Sequence, residues 1–203
     1  YFYSDMDNQD KMRQLIIDSA IKRFAHFGLS KTTMTEIASD LSMSKALLYY
    51  YFPDKISLYS AVLESIIIEM DNDLSRGVEK IKTTEKAIFY VLEKRQEYIL
   101  KYYNILDYIR TSGSDLPENI QKIIQDAKSS ETKISASVLQ RGKDAGEIKI
   151  SNAKDSAALL MDALIGMRYV AFSSHKIFQP QGDQFDSLLL RQKKLASVYL
   201  KGL

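Results

Sequence analysis

Between Thr32 and Lys55 the chain reads TTMTEIASDLSMSKALLYYYFPDK, a run rich in hydroxyls, phenols and ammonium groups. Thr32, Thr33 and Thr35 crowd the start of one apolar-periodic segment, where hydroxyls and open backbone N–H groups can hold a phosphate. Lys45, Tyr49, Tyr50 and Lys55 lie on or just beyond a second segment and offer charge and phenolic donors to a phosphate backbone. From Lys11 to Lys55 there are seven cations (Lys11, Arg13, Lys22, Arg23, Lys31, Lys45, Lys55) against four acids (Asp18, Glu36, Asp40, Asp54). The whole chain carries only +2, so any attraction for an anionic polymer rests on this local excess.

Those groups need short helices to aim them. Ile37, Ala38 and Leu41 form the buried face of a helix over Thr35–Leu41, with Thr33 or Thr35 as its cap. Ser42-Met43-Ser44 makes a tight turn, and Ser44 caps a second helix over Lys45–Tyr51 by accepting from a free N–H. Small Ala38 permits close approach, and Met43 and Leu48 fill the angle between the two. This is helix-turn-helix geometry, in which the second helix enters the DNA major groove N-terminus first. Pro53-Asp54 opens the next helix, whose positive end is expected to face the same phosphates. Tyr51 and Phe52 read as core.

The rest of the chain is helical by period. Leu15, Ile16, Ala20, Phe24 and Phe27 recur at helical steps and stop at Gly28, a left-handed C-cap. Further helices are expected over Asp54–Arg76, Thr84–Arg110 with breaks, Pro117–Lys143, Asp155–Ser173 and Gln184–Leu200. No segment alternates with period two, so the fold class is all-α. A three-helix helix-turn-helix module over residues 10–54 is joined through a connecting helix, about 54–76, to a larger helical body over 55–203.

At 203 residues and 23.2 kDa the chain can bury a core without staples. It has no cysteine, which excludes disulfides, thiolate zinc sites and cysteine nucleophiles and suits a reducing cytoplasm. The longest apolar run, near Ala157 to Met167, is broken by Asp162 and falls short of a membrane span. The opening residues lack a signal-peptide pattern. Met6 is expected to be the natural start, so Tyr1–Ser4 are set aside. No Gly-rich phosphate loop, nucleophile elbow or metal-ligand spacing is present, so neither an enzyme nor a cofactor is expected. His26 and His175 read as surface or packing residues.

The N-terminal block resembles the tetracycline-repressor (TetR) family of bacterial transcription regulators. The resemblance covers roughly Lys11 to Leu63 and rests on Ile17, Ala20, Phe24 and Gly28, on Thr32-Thr33, Ile37-Ala38, Ser44-Lys45 and Leu48-Tyr49, and on Tyr51-Phe52-Pro53-Asp54-Lys55. It implies a homodimer that binds a double-stranded operator and answers to a small-molecule effector. On the family pattern Thr33, Ser44, Lys45, Tyr49 and Lys55 contact phosphate, and Lys45, Ala46 and Tyr50 read bases. The chain departs from that pattern at Ser42, where a turn glycine is common, at Leu47, where threonine is frequent, and at Tyr50, where histidine is. Ala46 and Leu47 can touch thymine methyls but cannot hydrogen-bond bases, which shifts weight to DNA shape.

In the body, the effector candidates are Phe89, Tyr98, Tyr102, Tyr108, Arg110, Met161, Met167, Arg168 and Phe172, although core packing explains many such residues equally well. Arg110 or Arg168 can be the counter-charge of an anionic ligand. A cavity between Phe89–Arg110 and Met161–Phe172 is expected to take a mostly apolar or amphipathic molecule and to act on DNA through the connecting helix. The resemblance selects the last two helices for dimerisation, through Ala157, Leu160, Met161, Leu164, Met167, Ala171, Phe185, Leu188, Leu189, Leu195, Val198 and Tyr199. The alternative reading is a helical protein–protein adaptor that keeps the fold without specific DNA binding.

Overall fold

A computed structural model describes residues 2–173 and 182–202; for residues 2–7, 114, 172, 173 and 182 it describes the backbone alone. Its helices are α1 (Phe2–Lys31), α2 (Met34–Asp40), α3 (Lys45–Tyr51), α4 (Lys55–Glu79), α5 (Thr84–Lys101), α6 (Tyr103–Ser112), α7 (Glu118–Asp144), α8 (Ala153–Ser173) and α9 (Gly182–Lys201). A short 3-10 turn spans Gly113–Asp115, and no strand occurs among the described residues. The all-α expectation holds. The segment expected as Thr84–Arg110 breaks at Tyr102, whose φ of −113° and ψ of 24° leave the helical region. Helix α8 starts earlier than expected because Asn152 Oδ1 accepts from the N–H groups of Lys154 and Asp155 at 2.9 and 3.3 Å.

Packing divides the chain into two units, residues 1–69 with 99–125 and residues 70–98 with 126–203. Helices α4, α5 and α7 contribute to both, so the packing units do not follow the division expected at residues 54/55.

In the first unit α1 buries Ile16, Ile17, Ala20 and Phe24, α2 buries Met34, Ile37 and Ala38, and α3 buries Leu48. The ring of Tyr59, fully buried on α4, meets Phe24 and Tyr108 edge-on at centroid distances of 6.0 and 5.4 Å. Its hydroxyl donates to the Ile105 carbonyl at 2.6 Å, so the burial leaves no orphan and raises the phenol pKa. Helix α1 breaks at Gly28, with φ 76° and ψ 167°. The positive φ agrees with the sequence, but this ψ lies outside the left-handed helical well, in a region essentially restricted to glycine, and the chain resumes a helical turn to Lys31.

The second unit has its own core, drawn from Leu74 and Val78 of α4, Ile88, Val91 and Leu92 of α5, Val138 and Leu139 of α7, Leu160, Met161 and Leu164 of α8, and Ala196 and Leu200 of α9. The close approach of α4 to α5 depends on Gly77, where a Cβ would run into the Tyr90 ring. This burial corrects the dimerisation reading for six of its twelve residues. Ala157, Leu160, Met161, Leu164, Phe185 and Leu188 are buried within the unit and cannot face a partner. Among the described residues the large apolar side chains left exposed on α8 and α9 are Leu159, Tyr169, Val170, Leu190 and Val198.

Ser42, in the turn between α2 and α3, has φ 51°, and it is the one non-glycine with positive φ among the described residues. A side chain there costs about 1–2 kcal/mol, which glycine avoids at some entropic cost in the unfolded chain. Ser42→Gly is therefore expected to stabilise the protein by about 0.5–1 kcal/mol, read as a higher urea midpoint with unchanged m-value.

Candidate nucleic-acid interface

Helix α2 starts in a full capping box: Thr33 Oγ1 accepts from the Glu36 N–H at 3.3 Å, and Glu36 Oε2 accepts from the Thr33 N–H at 2.8 Å. Thr33 is the cap, and its hydroxyl also donates to Glu36 Oε2 at 2.8 Å, so a phosphate at Thr33 competes with its own glutamate. Thr35 is exposed beside it. Thr32 is fully buried and donates to the Gly28 carbonyl at 2.9 Å, which removes it from the phosphate-binding set.

Helix α3 is capped as expected, with Ser44 Oγ accepting from the Leu47 N–H at 3.1 Å. That bond uses a lone pair and leaves the hydroxyl proton free to donate outward. Leu48 alone of the seven α3 residues is buried, at 0% exposure. Lys45, Ala46, Tyr49 and Tyr50, at steps of one and four, share the opposite exposed face, with Leu47 at its edge. Tyr50 is 71% exposed, and its ring stands edge-on to Tyr51 at 5.3 Å. Phe52 is buried and Tyr51 half-buried, as a core assignment requires.

Lys55 sits differently. Its ammonium donates to the Leu29 and Thr32 carbonyls at 2.9 and 3.0 Å, closing the end of α1 against the start of α4, and only its third proton remains for a phosphate. Asp54 Oδ1 accepts from the Ser57 N–H at 2.7 Å, so the positive end of α4, expected to face phosphate, is already covered by a carboxylate.

A clamp not foreseen in the sequence fixes α2 on α1. Arg23 Nε and Nη2 donate to the two Asp40 oxygens at 2.6 and 3.0 Å, and Nη1 lies 3.3 Å from Glu36. The Arg23 bonds hold the Asp40 carboxyl below its ordinary range, Thr33 does so first for Glu36, and the Ser57 N–H does so for Asp54. Two of the four local acids are thereby engaged by a single cation, while Lys45 has no partner among the described residues. The sequence signal was a seventeen-residue separation between an arginine and an aspartate, which no local pattern picks out.

The effector candidates are split between the units. Tyr102, Tyr108 and Arg110 belong to the first: Tyr102 donates to Glu69 Oε2 at 3.1 Å, Tyr108 packs on Tyr59, and Arg110 is exposed and paired with Asp107. Phe89, Tyr98, Met161, Met167 and Arg168 belong to the second. Tyr98 is buried and donates to Asp73 Oδ2 at 2.8 Å, Lys193 lies 5.6 Å over the Phe89 ring, and Met161 Sδ accepts from Ser135 Oγ at 3.8 Å. The Phe172 side chain and His175 lie outside the described residues, and His26 is exposed against Phe27. Among the described residues no three His, Asp or Glu side chains are grouped to hold a metal, and no helix is long and apolar enough to cross a membrane.

Residues 16–62 match the family described as bacterial regulatory proteins, tetR family. A solved transcriptional regulator from Cytophaga hutchinsonii is 31% identical, with a TM-score of 0.84 over 93% of this chain and 96% of that one. IcaR, the negative transcriptional regulator of the icaADBC biofilm operon in Staphylococcus aureus, is 26% identical over 60% of this chain and 74% of its own. A transcriptional regulator from Saccharomonospora viridis solved with choline shares the fold at 19% identity, with a TM-score of 0.72 over 93% of this chain and 96% of that one.

The depressed carboxyls set an acid limit. A group whose folded pKa lies below its unfolded value stabilises the fold above the unfolded value and loses that contribution as pH falls through the folded one. Urea midpoints are expected to hold above the ordinary carboxylate range, near about pH 4, and to fall below it. Asp40→Asn is expected to be less stable at pH 7 and to show a shallower acid loss.

Proposed function

The chain belongs to the TetR family of bacterial regulatory proteins and is a transcriptional regulator, and from this premise we propose that it is a repressor binding a two-fold symmetric operator as a homodimer. The observation that carries the DNA reading is α3: Leu48 anchors it, Ser44 caps it, and Lys45, Ala46, Tyr49 and Tyr50 stand out on one face. In this reading residues 10–54 bind DNA. Ser44, Lys45 and Tyr49 take phosphates, with Thr33, Thr35 and the remaining proton of Lys55 at the margin. Lys45, Ala46, Leu47 and Tyr50 meet base edges, the alanine and leucine through thymine methyls. The sign of regulation follows the name of the staphylococcal relative, a negative regulator.

Dimerisation is supported by α8. Leu159, Ala163, Gly166 and Val170 are exposed at i, i+4, i+7 and i+11, one stripe whose small central residues let another helix approach closely. Leu190 and Val198 on α9 add to the exposed apolar surface. Residues 55–203 supply the dimer contacts and an effector site for a small, largely apolar or amphipathic molecule. The choline-bound relative is a case of this fold taking a small molecule. Helix α4 starts next to the DNA-binding module and carries the response. A coupling of about 1–3 kcal/mol weakens operator binding roughly 5- to 150-fold, and operator weakens effector binding by the same factor.

Operator selection on genomic fragments, followed by titration at several salt concentrations, tests the reading. Lys45→Ala is expected to weaken binding to every sequence similarly and to lower the salt slope by about one, whereas Tyr50→Ala changes the selected consensus. Lys55→Ala should chiefly lower folding stability, because two carbonyls lose their donor. Leu159→Glu is expected to give a folded monomer by light scattering and Leu188→Glu an unfolded chain; a dimeric Leu159→Glu protein would move the interface.

A further inference from the structure

The second unit contains a group of charges that the protein does not satisfy by itself. Asp71 of α4, Arg95 of α5, Glu131 of α7 and Arg168 of α8 each hold a side-chain atom out of solvent with no hydrogen-bond partner: Oδ1, Nη1, Oε1 and Nη1 respectively. They share one neighbourhood. Arg95, its side chain 13% exposed, forms an ion pair with the fully buried Glu131, and the adjacent Ser130 donates to Asp71 Oδ2. The Arg95 guanidinium also feels Arg168 and Asp71.

A guanidinium held out of water is costly unless an anion or a strong acceptor sits beside it. Glu131 serves Arg95. Asp71 has one oxygen taken by Ser130. Arg168 has no ion-pair partner among the described residues, and burial pushes its pKa down to about 10, so it remains charged at neutral pH. Asp71 and Glu131 balance the two guanidinium charges in sum, but neither is bonded to Arg168, and a group that pairs with that guanidinium must bring acceptor atoms, best as an oxyanion. Arg110, the other cation that the sequence offered for this task, is exposed and already paired with Asp107.

We propose that the effector carries an oxyanion, a carboxylate or a phosphate, received by Arg168 with Arg95 beside it. This rests on the reading of the second unit as effector-binding. The planar guanidinium fork suits either head group, and the tail then lies toward the apolar side chains of that unit. Lipophilic cations suit Arg168 poorly, because an ammonium head offers its guanidinium no acceptor.

The test is a head-group series on constant tails, with the full chain. Octanoate, octyl phosphate, benzoate and phenyl phosphate are compared with octanol, benzyl alcohol and octyltrimethylammonium by calorimetry and thermal shift. At least one oxyanion is expected to bind ten-fold or more tightly than the alcohol and the cation, and carboxylate against phosphate tells which head the site prefers. Arg168→Met is expected to abolish that preference and Arg168→Lys to restore part of it. Without any ligand, Arg168→Met should melt at or above the wild-type temperature, since it removes a buried charge with no partner. Equal binding of all heads, failure of every oxyanion to bind, a preference that survives in Arg168→Met, or a lower melting temperature for that variant overturns the proposal. Operator affinity is measured on the same preparations. Operator binding without oxyanion discrimination defeats this site alone, whereas oxyanion binding that leaves operator affinity unchanged, or a chain that binds no operator, defeats the regulatory reading and leaves the site standing.

Discussion

The break in α1 at Gly28 is the constraint on which the candidate DNA interface depends. Its φ of 76° and ψ of 167° are open to glycine and closed to side chains, so the chain turns there without a choice of residue. Carbonyls around such a break need donors, and the structure draws them from several directions. Thr32 Oγ1 serves Gly28, Lys55 Nζ serves Leu29 and Thr32, and Asn104 Nδ2 of α6 serves Ala25 at 2.8 Å. The start of α2, the start of α4 and the side of α6 are thereby tied to one turn of backbone. Of the groups that look like phosphate ligands in the sequence, Thr32 is spent on this tie and Lys55 keeps one proton beyond it.

The two units treat charge in opposite ways. In the first, cations and acids find each other at the surface, with Arg23 on Asp40 and Glu36, and carboxylates cap helix starts, as Asp54 does for α4. Exposed pairs of this kind set geometry more than stability. Lys45, which has no such partner among the described residues, stands at the N-terminal end of α3, where the proposed reading puts a phosphate. In the second unit a guanidinium nitrogen of Arg168 is held out of solvent with no hydrogen-bond partner. A protein interior seldom tolerates that unless another molecule completes it.

Apolar surface is divided with similar economy. Helix α8 is apolar around much of its circumference, and one side of it, Ala157, Leu160, Met161 and Leu164, closes the core of its own unit. The other side, from Leu159 through Ala163 and Gly166 to Val170, remains at the surface. Apolar periodicity identifies a helix with two faces to bury, but it does not rank them. Only the neighbours that α5, α7 and α9 supply decide which face stays inside.

Local chemistry determined what the sequence by itself could carry. The helix-turn-helix block, the capping roles of Thr33 and Ser44, the exposure of Lys45 and Tyr50, the burial of Leu48 and Phe52 and the all-helical fold follow from interactions spanning a few residues, and these are legible in spacing. The left-handed turn at Ser42 belongs to the same class. What tertiary structure decided involves partners far apart in the chain. Lys55 lies twenty-six residues from Leu29, Arg23 seventeen from Asp40 and Asn104 seventy-nine from Ala25. The quartet of Asp71, Arg95, Glu131 and Arg168 draws on four helices, and of its members the sequence singles out Arg168 alone. A side chain's desolvation and its donors are properties of the elements packed around it, which spacing along one helix cannot reveal.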